Sequence, residues 1–153
     1  MSMHASAEWF ARADECLAEA RRLHEGGFHA GACSRALYAM MFAAKAGLKH
    51  GIIEGYVHVS MPNDPAETYK VFRDEFAMPR KLDASLLRDY RTVQGLKDRA
   101  DNSTGQILLI QAEDALHAAA RFTLHLKTAT APRPRVDGPT PEEVALALSV
   151  PRR

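Results

Sequence analysis

The sequence predicts an all-α protein: an antiparallel up-down helical bundle of four to five helices with a short C-terminal appendage. Three observations carry this expectation. Apolar residues recur every three or four positions over long stretches, the connections between these stretches are short, and no pair of alternating segments could form a strand hairpin. The chain has 153 residues, 46% hydrophobic and 25% charged. That suits one domain able to bury roughly two-thirds of its unfolded surface.

From Ala5 to Glu25, Trp9, Ala13, Cys16, Leu17, Ala20 and Leu23 fall at helical spacing, with Arg12, Glu15, Glu19 and Arg22 opposite them. The paired glycines of "EGGF" stop that helix by releasing the backbone. A second helix is expected from Phe28 to about Lys49, with a wide, Ala-rich apolar face of Ala30, Cys33, Leu37, Met40, Met41, Ala44 and Leu48 that lets neighbours approach closely. Between Gly51 and Asp64 the periodicity fails, and the glycines, proline and β-branched residues read as a loop. "PAETYKVFRDEF" offers a short helix bearing Tyr69, Val71, Phe72 and Phe76, which "MPRKLD" interrupts.

Asp83 is the expected N-cap of a helix from Ala84 to about Asp101, striped with Leu86, Leu87, Tyr90, Val93 and Leu96. "DNSTG" is a turn by composition, and Gln106 to Lys127 forms the last long helix, with Leu108, Ala112, Ala115, Leu116, Ala119, Phe122 and Leu126. After Thr130 comes a Pro-rich linker, and Thr140 to Glu143 reads as a capping box with Pro at the first helical position. The helix it opens is marginal at that length without something to pack on. The chain thus divides into a bundle over 1–130 and a linker with a short helix or tail over 131–153.

The formal charge of +1 gives no global pull toward nucleic acid or an anionic membrane, so any binding surface must be local. No apolar run approaches the roughly 20 residues a membrane span needs. The start "MSMHASAEWF" has no basic segment leading into an apolar one, so a cytoplasmic location without membrane association is expected. Cys16 and Cys33 sit inside helical patterns and read as small buried hydrophobes. No zinc motif or Gly-rich phosphate loop is present, and neither metal nor cofactor is expected. His117 and His125, flanking Arg121 on the last helix, stand eight residues apart, too far to chelate one ion.

Two strings carry a resemblance. "SRALYAM" on the second helix and "LKDRADN" at the end of the fourth, in this order and within such a set of helices, resemble the small single-domain HEPN proteins. The likeness spans roughly Ala7 to Leu126. It rests on Ser34, Arg35, Ala36, Tyr38, Ala39 and Met40, with Leu37 replacing a usual Tyr, and on Ala100 and Asp101. Lys97 stands where Arg is usual in that family, Arg99 where Lys is common, and Asn102 where Tyr is usual. The resemblance implies a helical bundle. It also brings in metal-independent ribonucleases, often toxins paired with a minimal nucleotidyltransferase, whose motif joins an Arg to a His a few residues on. In such a site His exchanges protons with a ribose hydroxyl and Arg stabilises charge on phosphate.

No His follows Lys97 or Arg99 in "ADNSTGQ". Arg22 and His29 have similar spacing but straddle "EGGF", and we read that as coincidence. The expectation is therefore a binding module without ribonuclease activity, and so not an enzyme. A homodimer or a nucleotidyltransferase-like protein is its expected partner, with RNA or nucleotide as ligand. The alternatives are an endoribonuclease toxin drawing on Arg35, Lys97, Arg99 and Asp101, and a bundle binding a nucleotide or small ligand. The candidate cluster is Ser34, Arg35, Tyr38, Lys97, Arg99 and Asp101, with Arg88 and Arg91 as possible RNA contacts. Its bland reading is a buried network in which Arg35 pairs with an acid such as Asp101 and fixes helix register.

Overall fold

The computed structural model describes residues 2–102, 106–132 and 141–149. Ser103 to Gly105 of the expected turn, most of the Pro-rich linker and the Thr140 cap lie outside them. The described residues form six α-helices and one π-helical turn: α1 (Ser2–Glu25), α2 (His29–Glu54), α3 (Pro65–Phe72) continuing into the π turn Arg73–Ala77, α4 (Ala84–Asn102), α5 (Leu109–Thr130) and α6 (Pro141–Ser149). The all-α bundle read from the sequence is the observed architecture. No helix is long and apolar enough to cross a membrane, among the described residues.

Cross-helix contacts fix the directions. Ser6 Oγ donates to the Ala46 carbonyl at 3.4 Å, so α1 runs against α2. Lys127 pairs with Asp14 at 2.8 Å and His24 lies 3.6 Å from Glu113, so α5 also runs against α1. Arg121 reaches Asp89 at 3.4 Å, which sets α4 against α5. The central helix is α2, packed against α1, α3, α4 and α5. Its buried run of Ala32, Ala36, Ala39, Ala43, Ala44 and Ala46 has no bulk to hold those neighbours away.

α2 runs to Glu54, one and a half turns beyond the expected end near Lys49. Gly51 is a packing residue within the helix: a Cβ there would collide with Val57 and Tyr56, which fold back over it. The helix stops at Gly55, whose φ of 89° places it in the left-handed region while its amide donates to the Gly51 carbonyl at 3.0 Å. The loop therefore begins four residues later than expected. Ala30 is exposed, contrary to its expected place on the buried face.

Asp64 caps α3 by accepting from the Glu67 amide at 2.8 Å, and Pro65 opens the helix. The π turn adds one residue to the last turn, which leaves Phe72 and Phe76 both fully buried with ring centroids 5.5 Å apart. Tyr90 and Phe122 complete the aromatic core, 5.7 Å from each other. The buried Tyr90 hydroxyl donates to the Pro65 carbonyl at 2.8 Å and ties α4 to the start of α3. Asp83 accepts from the Ser85 amide at 2.9 Å, as expected of its cap. α5 begins at Leu109 because the Gln111 side chain folds back to the Leu108 amide at 2.9 Å, and Leu108 itself is exposed where burial was expected. Cys16 and Cys33 are buried, as read, and burial raises both thiols, that of Cys33 to about 11.

Candidate functional site

Ser34 and Tyr38 lie one turn apart on α2 and are half-buried, so they share a face. Arg35 turns outward. It is 46% exposed, its Nε stands 3.3 Å from Glu19 on α1, and its guanidinium lies 5.8 Å from the Tyr38 ring. The buried Arg35–Asp101 network is thus corrected: a residue adjacent to the buried Ala36 and Leu37 points away from the core, and its acid comes from α1. Asp101 pairs instead with Lys97 one turn earlier on α4. That hydrogen bond, aided by the charges of Asp101, Tyr38 and Asp98, holds the Lys97 ammonium above the usual lysine range. Arg35 thus lies beside Tyr38 and has its carboxylate partner on α1, while Lys97 has its own on α4.

Arg99 occupies another face of α4, where its Nη2 donates to the Gln106 carbonyl at 3.4 Å and braces the connection to α5. The structure thus places Arg35 beside Tyr38 and pairs Lys97 with Asp101, with Arg99 on another face of α4. Arg88 and Arg91 are exposed on the outer face of α4, with Arg91 5.8 Å from the Tyr69 ring. His117, Arg121 and His125 are exposed on α5.

One arrangement was not legible in the sequence. His24 at the end of α1 and His29 at the start of α2 meet across the glycine turn with ring centroids 5.3 Å apart. Both Nδ1 atoms are buried without a hydrogen-bond partner among the described residues. His29 borders a cleft of about 390 Å3 between the turn, Ala100 and the Gln106–Ile107 segment. Spacing within one helix could not reveal this pair, because the turn reverses the chain between the two imidazoles.

A HEPN domain family model matches residues 6–58. These residues are similar to a HEPN domain, in line with the resemblance read from the sequence. The match covers most of α1, all of α2 and the first residues of the following loop, about a third of the chain, and so includes Ser34, Arg35 and Tyr38. Lys97, Arg99 and Asp101 lie outside the matched residues and rest on the resemblance alone. No curated protein matches the chain.

Proposed function

We propose that this protein is a HEPN-type binding module for RNA that does not cleave it, acting as a homodimer or with a nucleotidyltransferase-like partner. The observation that carries the reading is the Tyr38 ring with the Arg35 guanidinium 5.8 Å from it. An aromatic ring with a half-exposed guanidinium beside it can stack on a base and contact phosphate. The candidate cluster contains no imidazole to move a proton, and its carboxylates are held in ion pairs. Association is supported by Phe28, Leu108, Leu109 and Ile110, all more than half exposed where the α1–α2 turn meets the start of α5. The test is incubation of the protein, and of its Arg99→Ala variant, with mixed RNA and a metal chelator. RNA that is bound yet intact in both supports the module.

A second reading rests on the His24–His29 pair. One imidazole would take the proton of a ribose 2′-hydroxyl, and the other would return a proton to the leaving 5′-oxygen. Cleavage lost in His29→Ala would replace the first reading with this one.

A further inference from the structure

At the other end of the bundle, the last turns of α2 and α5 enclose a groove in two joined parts. One part, about 440 Å3 and mainly apolar, lies among Ala7, Phe10, Thr130 and Pro132. The other, about 320 Å3, lies beside Arg80, Tyr56 and Ala129. His50, Glu54 and Pro132 border both and so mark the joint.

The charges are arranged in sequence along this groove. Arg80 is fixed by its guanidinium lying 3.6 Å over the Tyr56 ring and 5.2 Å from that of Phe76, and its buried Nε has no hydrogen-bond partner among the described residues. Glu54, at the joint, makes no ion pair among the described residues, although Arg80 lines the same cavity. Lys127, the other cation present, is occupied by Asp14 at 2.8 Å. The C-terminal ends of α2 and α5 border the joint, and their partial negative charge favours a cation there.

We propose that this groove binds a free apolar α-amino acid. Such a ligand carries carboxylate, ammonium and side chain on one carbon; with that carbon at the joint beside Glu54, its carboxylate can turn to the part lined by Arg80 and its side chain to the apolar part. Arg80 takes the carboxylate in fork geometry, Glu54 takes the ammonium, and Ala7, Phe10 and Pro132 cover the side chain. The site is about 24 Å along α2 from Tyr38, at about 1.5 Å per residue, and is independent of the RNA reading.

Isothermal titration of the full chain with L-phenylalanine and L-leucine tests this. One of them should bind saturably at one site. N-acetyl-L-phenylalanine, which lacks the ammonium, and 2-phenylethylamine, which lacks the carboxylate, should each bind at least tenfold more weakly. Arg80→Gln should weaken amino-acid binding tenfold or more. Ala7→Trp, which fills the apolar part without touching the charged groups, should abolish it, with circular dichroism checking that both variants remain folded. No saturable binding of either amino acid overturns the proposal. So does equal affinity for the N-acetyl compound, or affinity unchanged in a folded Ala7→Trp variant.

Discussion

Tyr90→Phe isolates one hydrogen bond in the core. The ring lies 5.4 Å from Tyr69 and 5.7 Å from Phe122 and is fully buried, so the substitution keeps the packing and removes only the 2.8 Å bond to the Pro65 carbonyl. Near neutral pH the expected loss is about 1 kcal/mol, or roughly 2–4 °C in Tm for a chain of this size. Tyr90→Ala, which also opens a cavity, should cost about 3–5 kcal/mol.

The pH dependence of the Tyr90→Phe difference sharpens the test. Burial raises the Tyr90 hydroxyl above the ordinary tyrosine range. A raised folded-state value means its contribution is fully present below the unfolded value, near pH 10, and is lost above it as the unfolded chain ionises first. The loss is about 1.4 kcal/mol per pH unit. By about pH 11 it offsets the hydrogen bond, so wild type and Tyr90→Phe should then be about equally stable. Urea unfolding at pH 8 and pH 11 measures this, the other ionisable groups cancelling in the difference. A gap between the two proteins that is the same at both pH values would refute the assignment of the buried hydroxyl.

Three further outcomes follow from the same geometry. Gly51→Ala should destabilise by about 1–2 kcal/mol because its Cβ meets the buried Val57, whereas Gly95→Ala on α4, with open space around it, should stabilise by up to about 1 kcal/mol; thermal melts of the two variants should move in opposite directions. Lys45 is 7% exposed beneath Trp9, and burial depresses its ammonium below the usual lysine range, with Arg12 adding to the effect. Between its folded and unfolded values the unfolded chain holds more protons, so wild-type stability rises with pH in that alkaline window. Lys45→Met should accordingly gain up to about 1 kcal/mol at pH 7, and the gain should vanish above roughly pH 10.5, as read by urea unfolding across that range. Replacing Arg88 and Arg91 together by Gln should lower the slope of log affinity for single-stranded RNA against log salt by about 1.4, at roughly 0.7 per lost phosphate contact, in fluorescence anisotropy titrations.

The sequence made the helices legible because their burial pattern is local: Ala13, Cys16, Leu17 and Ala20 are buried on α1, as their spacing implies. It misplaced the end of α2 because Gly51, ordinarily a helix breaker, serves here as a contact point for Val57 and Tyr56. Leu108 misled in the same way, since hydrophobicity does not reveal that Gln111 closes the helix start behind it. The candidate residues were legible as two strings. Their partners were not: Glu19, the acid that holds Arg35, is 16 residues away on another helix. The His24–His29 pair and the groove at Arg80 likewise depend on how the chain returns, which no periodicity encodes.

Incubating the protein with end-labelled RNA in the presence of a chelator, with native and denaturing gels run side by side, separates binding from cleavage. A module that binds RNA without cutting it gives retarded RNA on the native gel and full-length RNA on the denaturing one. RNA fragments produced by wild type and absent with His29→Ala or Arg99→Ala would contradict that reading.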